Sequence, residues 1–347
     1  MKVLMLRIGL DIGLRKFAVH IAASGDRPAS NVTLQRDDLL EYFSSCSPSI
    51  IGMETGGGCH HWGRELARLG HNVRLIPAAY VKPFVKRGKT DANDAEAITE
   101  AMCRPNMRRT RVKTLDQQSA LAVHRVRQLF MKQRTQIINA IRGHLAEFGV
   151  EISVGIAHVT KWIEAERVND KASLPEDVHH LIQRMGSLAA RLTEEIAVLD
   201  GHLIQALRRD ASALRLRTIP GVGILGATAL AATFPEPQQF GSARQFSAFL
   251  GLTPLPDSSG GIRRRERMSK RGDPYIRHLL LAGARAQMIG VKRWPERADP
   301  WTAAIVARKP WRVASVAIAN KMARIAWALM AKGGEFSRAP VTQPAPL

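Results

Sequence analysis

The sequence predicts an α/β plus α protein, a sheet-bearing first domain followed by a mainly helical remainder. Short apolar runs bounded by turn residues fill the opening stretch up to Pro77. Apolar residues at three- and four-residue spacing replace them from Thr90 onward. A narrow seam of Leu181, Met185, Leu188, Leu192, Ile196, Leu199 and Leu203 then marks one long helix, with a period typical of a coiled coil.

The elements follow in order. Residues 3–12 read as a buried strand, and after the turn Gly13-Leu14-Arg15-Lys16 a second strand covers Phe17 to Ala22 as a hairpin partner. Asn31 to Leu34 is a third strand, Asp37 to Ser45 a helix, and Pro48 to Glu54 a strand that ends in Gly56-Gly57-Gly58. His61 to Leu69 is a helix stopped by Gly70, and Val73 to Ile76 is a further strand. Antiparallel strands first and β-α alternation afterwards predict a first domain of the RNase H type. Helices follow from Thr90, from Leu115 to Phe148, and from Glu176 to Leu207. The expected division is an α/β domain over 1–150, a helical coiled-coil linker over 151–212, a mainly α domain over 213–335 and a frayed tail over 336–347.

At 347 residues the chain has room for two or three cores. With 45% apolar and 23% charged residues, its balance is that of a globular protein and excludes a mostly disordered one. Lys and Arg outnumber Asp and Glu by 51 to 30, a net charge of +21 that calls for a polyanionic partner. The positive residues recur along the whole chain rather than on one amphipathic helix, which favours nucleic acid over a membrane surface. Cys46, Cys59 and Cys103 are odd in number and widely spaced, so they suit a reducing cytoplasm and predict neither disulfides nor a thiolate metal site. No stretch of about 18 uncharged apolar residues stands out, and no membrane span is expected. Cys59-His60-His61 lacks a second ligand pair for zinc and reads as a helix start with Trp62 turned inward.

Four carboxylates carry the chemistry. Asp11 sits within an apolar strand, where a charge is expensive to bury without a partner. Glu54 closes a later strand, and Asp91 and Asp94 share one face of a helix. Brought together, the four would repel one another unless a cation neutralised them, and oxygen ligands select Mg²⁺ or Mn²⁺. A metal pair in such a site drives phosphoryl transfer. The plainer reading of Asp91 and Asp94 is a solvated first helical turn with acids at the favourable dipole end. Leu10-Asp11-Ile12-Gly13 also opens sugar kinases and actin-like ATPases, but no second Asp-x-Gly phosphate loop follows here.

Basic residues flank these acids. Lys82, Lys86, Arg87 and Lys89 precede the acidic helix, and Arg104, Arg108, Arg109, Arg111 and Lys113 follow it. Further on, Ile219-Pro220-Gly221-Val222-Gly223 before a helix looks like a helix-hairpin-helix, whose Gly221 and Gly223 would let the turn approach a phosphate. Its plainer reading is a tight turn between packed helices. The serine loop Asp257-Ser258-Ser259-Gly260-Gly261 abuts Arg263, Arg264, Arg265 and Arg267, then Lys270 and Arg271. Guanidinium groups suit the charge that builds up when a serine attacks phosphorus. Asp273 caps a helix with Pro274 in its first turn, and Arg277 and Arg285 lie on roughly one face, placed to track a phosphate backbone.

These stretches together resemble the DEDD transposases of the insertion-sequence 110 family, subgroup 1111, over nearly the whole chain. The matching segments are Gly9-Leu10-Asp11-Ile12-Gly13, Gly52-Met53-Glu54-Thr55-Gly56-Gly57-Gly58, Val81-Lys82-Pro83-Phe84-Val85-Lys86 and Thr90-Asp91-Ala92-Asn93-Asp94. They continue with Ile219-Pro220-Gly221-Val222-Gly223, Ser258-Ser259-Gly260-Gly261, Ser269-Lys270-Arg271-Gly272-Asp273 and Ala319-Asn320-Lys321. The resemblance implies a RuvC-like first domain with a metal-binding tetrad of Asp11, Glu54, Asp91 and Asp94, and a C-terminal serine transposase domain. Ser259 best matches the family serine, with Ser258 its neighbour. It also implies a guide RNA encoded by the element, DNA at the element ends and target, a homo-oligomer (dimer or tetramer), and a bacterial cytoplasmic, nucleoid-associated setting. The other reading is a RuvC-like nuclease that hydrolyses Holliday-type junctions and uses the serine segment only to bind DNA.

Overall fold

The computed structural model describes residues 5–24, 28–86, 88, 90–169, 174–259 and 262–337, with no side chain described at 167–169 or 256–267. Two compact units form, Met1–Leu115 and Asp116–Leu347.

The first unit is built on a mixed five-stranded sheet. Its strands are β1 (Arg7–Ile12), β2 (Lys16–Ile21), β3 (Ser30–Gln35), β4 (Ile50–Glu54) and β5 (Asn72–Ile76), in the order β3-β2-β1-β4-β5. β1 and β2 pair antiparallel across the three-residue Gly13 to Arg15 connection, and β3 extends that meander. β4 pairs parallel with β1, and β5 parallel with β4. The crossovers between them are α1 (Leu39–Ser44) before β4 and α2 (Cys59–Arg68) before β5.

Alternation along each strand divides the sheet into two faces. Ile8 and Leu10, Phe17, Val19 and Ile21, Ile51 and Met53, and Leu75 all turn to one side, where Leu39 and Phe43 of α1 and Trp62 and Leu66 of α2 cover them. The other face carries Arg7, Gly9 and Asp11 on β1, Ile50, Gly52 and Glu54 on β4, and Arg74 and Ile76 on β5. The short α3 (Ala78–Val81) leads to α4 (Asp91–Cys103), whose Ile98, Ala101 and Met102 pack on this second face with Ile76 and Val81.

Two glycines set how closely α4 approaches. A Cβ at Gly9 would lie 2.1 Å from the Ala95 carbonyl oxygen, and one at Gly52 would lie 2.9 Å from Met102 Sδ. A glycine between apolar residues of a strand marks such an approach.

The second unit begins in α5 (Leu115–Glu147) and continues through α6 (Ile156–Asn169) and α7 (Glu176–Arg209). Ile138, Ile141 and Leu145 of α5, Val159 and Ile163 of α6, and Ile182 and Ala189 of α7 form a core of their own. Hence α5, which the sequence reading groups with the sheet, has its core partners in the helical unit. Arg127 of α5 holds Asp200 of α7 with two hydrogen bonds of 2.5 and 3.2 Å.

The seam expected on α7 is corrected in its first half. Ile182 and Ala189 are buried there, whereas Leu181 and Leu188 are 59% and 43% exposed. Both stripes keep the three-four spacing through Met185 and Leu192, so periodicity alone does not choose between them. Packing does, because α6 sends Ile163 onto Gly186, where a Cβ would meet its Cδ1 at 2.7 Å.

The remainder is helical apart from one hairpin. It contains α8 (Ala211–Arg217), α9 (Ile224–Thr233), α10 (Ala243–Phe249), the ribbon β6 (Pro254–Ser259) and β7 (Ile262–Met268), α11 (Pro274–Arg293), α12 (Pro300–Arg308) and α13 (Trp311–Lys332). A large core joins Leu216, Leu230, Phe246, Leu280, Ile318 and Met322. By length and composition α13 is apolar enough to cross a membrane. Its Ala314, Ile318, Ala319, Met322, Ala323 and Ala326 are instead buried in this core. At the start of the expected tail the Phe336 N–H donates to Thr218 Oγ1 at 2.9 Å, and its ring packs on the same core. Residues 338–347 lie outside the described residues.

A buried polar relay links three of these helices. His124 of α5 is 1% exposed, with Nδ1 2.9 Å from the Tyr275 hydroxyl of α11 and Nε2 3.0 Å from Thr228 Oγ1 of α9. Thr228 donates its only hydroxyl proton to the Ile224 carbonyl. Nε2 must therefore donate to Thr228, and Nδ1 accepts from Tyr275, which fixes a neutral imidazole. Burial, reinforced by the Arg127 charge, lowers the His124 pKa from 6.5 to about 4.

Protonation therefore favours the unfolded chain between these two values. Stability supplied by neutral His124 is complete above pH 6.5 and lost as pH falls toward 4, a span worth about 3 kcal/mol. Urea midpoints measured from pH 7 to pH 4 are expected to fall in wild type, and to fall less in His124→Gln. Equal slopes in the two proteins would remove His124 from this role.

Candidate active site

Asp11 and Glu54 stand on adjacent parallel strands, one step beyond the last paired rung, Leu10 with Met53. Both belong to the face under α4. Because Gly9 faces Ala95 and Thr99, the sheet two residues further on lies level with the preceding helical turn, which carries Asp91 and Asp94. Thr90 starts that turn, its Oγ1 accepting from the Asn93 N–H at 3.2 Å. The acids thus occupy the positive end of α4, as their dipole preference dictates.

The electrostatics show that the four are neighbours. Asp11 is pushed up to about 6, first by burial and then by repulsion from Asp94, Asp91 and Glu54, against one hydrogen bond from the Ile12 backbone. Glu54 is also raised, by burial and then by Asp94. Apart from that bond to Asp11, no hydrogen bond or ion pair among the described residues engages any of the four side chains. Nor do any three His, Cys, Asp or Glu side chains there stand at the spacing of a closed ion cage. The donor chemistry, four hard carboxylate oxygens in mutual repulsion, fits a divalent cation.

The predicted basic residues divide. Lys82 is exposed at the start of a short turn, whereas Lys86 is paired with Glu96 at 2.6 Å. Arg87 and Lys89 lie outside the described residues.

In the helical unit, the expected serine loop is instead the strand β6, paired antiparallel with β7 so that Ser258 registers with Arg263 and Ser259 with Ile262. The overlooked signal is Gly260-Gly261, a two-residue glycine spacer between extended runs. The side chains of Ser259, Arg263, Arg264, Arg265 and Arg267 lie outside those described.

The base of the ribbon is interlocked. Ser269 N–H donates to the Thr253 carbonyl at 2.9 Å and Lys270 N–H to that of Gly251 at 3.3 Å. Gly251 and Gly272 both have positive φ, and a Cβ on either would lie 2.3 Å or less from the opposing backbone. Lys270 itself holds a φ of 53°, an uncommon conformation for a residue with a side chain. Arg277 Nη1 donates to the carbonyls of Arg271 and Leu250 at 2.7 and 3.0 Å. Asn320 donates to that of Leu252 at 3.2 Å, and neighbouring Lys321 pairs with Asp299 at 3.0 Å. Arg277, read from the sequence as a phosphate contact, thus serves here as a clamp on the two loops.

Gly221 likewise has a packing role. Its turn meets α11 so tightly that a Cβ there would lie 2.7 Å from the Gly283 carbonyl oxygen. Gly223 is open on its side, and it begins α9 with no side-chain cap.

A family model described as the IS116/IS110/IS902 transposase family matches residues 213–299, and a DEDD transposase model of the IS110 group matches residues 8–149. The transposase for insertion sequence element IS1328 of Yersinia enterocolitica is 35% identical over 331 residues, covering 95% of this chain and 98% of that protein. The chain belongs to the IS110/IS116/IS902 family of DEDD transposases. The transposase for insertion sequence element IS1111A of Coxiella burnetii is similar as well, 33% identical over 325 residues, covering 94% of this chain and 89% of that protein. As a transposase it is an enzyme that cuts and rejoins DNA. The match over residues 8–149 holds all four carboxylates, and that over 213–299 holds Gly221, Ser259 and the basic run.

Proposed function

We propose that this transposase cleaves and rejoins DNA with a divalent ion, Mg²⁺ or Mn²⁺, at Asp11, Glu54, Asp91 and Asp94, and with Ser259 as nucleophile. The observation that carries this reading is the placement of Asp11 and Glu54 at adjacent strand ends on the face under α4, whose first turn bears Asp91 and Asp94. The strand order β3-β2-β1-β4-β5, with the acids at the strand ends and under one helix, supports an RNase H and RuvC-like fold for the first domain. When bound, the ion would supply Lewis acidity at the scissile phosphate.

The chain's own groups do the rest. Ser259 Oγ gives up its proton and joins phosphorus, an ester oxygen departs as a sugar hydroxyl, and a phosphoserine links protein to DNA. Arg263, Arg264, Arg265, Arg267, Lys270 and Arg271 offset the charge that develops at phosphorus. The α8-to-α9 turn acts as a helix-hairpin-helix in which Gly223 and the uncapped first-turn N–H groups of α9 receive a backbone phosphate. The net charge of +21 supports a second polyanion, the guide RNA encoded by the element, and the active form is a homo-oligomer.

A suicide DNA substrate tests the serine. Wild type is expected to yield a covalent protein–DNA adduct that maps to Ser259, and Ser259→Ala none. A product formed with no adduct in wild type would favour water as nucleophile and the junction-nuclease reading.

A further inference from the structure

The sheet face that carries the acids also carries three arginines, set in steps across it from the far end of β1 to the row of Glu54. Arg7 opens β1, and Arg74 lies on the same face of β5. Past the end of α4 the chain returns alongside β5, where Thr110 N–H donates to the Leu75 carbonyl at 2.7 Å in an antiparallel bridge. That register sets Arg109 across from Ile76 and diagonal to Arg74 on the same face.

Three guanidinium groups therefore crowd one place, and their counter-charge is missing. Among the described residues no carboxylate pairs with any of them. The one side-chain acceptor is Cys103 Sγ, 3.7 Å from Arg7 Nη1. Arg74 Nε is buried and has no hydrogen-bond partner. Burial, with Arg109 and Arg7 nearby, lowers the Arg74 pKa. Arg7 and Arg109 are exposed, so the group is open to a ligand.

We propose that Arg7, Arg74 and Arg109 form a phosphodiester-binding site that grips the backbone of a nucleic acid bound by this transposase. The inference rests on the reading of the first unit as the catalytic one. Along β1, Arg7 and Asp11 are four residues apart, about 13 Å, or about four nucleotide steps of a strand. Arg7 would hold the backbone that far from the acids, and Arg109, level with Ile76 and Glu54, would hold it nearest to them. The competing role is structural, three cations set against the negative end of α4.

The test uses the full-length protein in chelator, where no strand is cut, with a short duplex DNA, the same single strand, and the same sequence as RNA. A dead tetrad or serine would leave this assay intact, so its failure is separate from failure of the catalytic reading. Arg74→Gln is expected to weaken binding about tenfold and to lower the salt-dependence slope by about one for the probe that occupies the site. The probe that shows the loss identifies the source of the phosphate.

Exposed Cys103 supplies a reporter in place. The same probe is expected to slow its alkylation in wild type but not in Arg74→Gln. Should Arg74→Gln fail to fold, exposed Arg109→Gln decides by the same measures. Wild-type affinity and slope in both variants, with Cys103 unprotected by any probe, would overturn the proposal. A lowered melting temperature accompanying that result would assign the arginines to α4.

Discussion

Asp11→Asn is expected to make the metal-free transposase more stable and catalytically dead. Asp11 has a folded pKa of about 6 against an ordinary 3.8. Below pH 3.8 the carboxyl is protonated in both states. As pH rises through 6 the folded protein must take on the charge against burial and three neighbouring acids, so the stabilisation from holding the proton is lost. At neutral pH the penalty is at most about 3 kcal/mol, reduced by solvent screening. The amide removes it, and the melting temperature in chelator is expected to rise by about 5 °C.

The sign reverses with a cation. Mg²⁺ or Mn²⁺ binds the folded wild type and raises its melting temperature with concentration, while the Asn variant should respond far less. Because protons compete for the same oxygens, the wild-type shift should shrink below about pH 6. Excision is expected to fall about a thousandfold or more, the scale of several kcal/mol of lost charge stabilisation. Equal cation shifts in the two proteins would place the ion elsewhere. A wild type less stable than the variant even with saturating cation would break the link between the strained acid and the metal.

How far the sequence foretold this arrangement depends on whether local or distant contacts decide. The sheet was legible because alternation and turn residues act within a few positions, as in the Gly13 to Arg15 connection that joins β1 to β2. The α4 start was legible for the same reason, since Thr90 caps its own helix. Asp273 likewise caps α11, accepting from the N–H groups of Tyr275 and Ile276.

Where the outcome depended on a distant partner, the sequence was silent. Nothing near Leu181 reveals that Ile163 rests on Gly186 and turns Ile182 inward. Nothing near Arg277 reveals that carbonyls of Leu250 and Arg271 await it. Gly9 and Gly52 could have been noticed as strand glycines, but their use, bringing α4 down beside Asp11 and Glu54, belongs to the packed state.

Gly272→Ala is expected to be the most damaging small substitution in the helical unit. Its φ of +75° costs an alanine about 1–2 kcal/mol, and the new Cβ would lie 2.1 Å from the Phe249 carbonyl oxygen, deep inside contact distance. Backbone on one side and the α11 cap on the other leave little room to yield, so overpacking adds about 1–3 kcal/mol. Gly149 offers a matched control, with the same φ of +75° and nothing within 4 Å of a Cβ. Gly149→Ala should therefore show the conformational penalty alone. The difference in urea midpoint between the two variants measures the interlock of the Phe249 to Thr253 and Ser269 to Asp273 loops. Since β6 and β7 rise from those loops, Gly272→Ala is also expected to lose the Ser259 adduct under conditions where it remains folded, while Gly149→Ala keeps it. If the two variants were equally mild, the ribbon would not depend on this contact, and the rigid base inferred for the nucleophile would have to be abandoned.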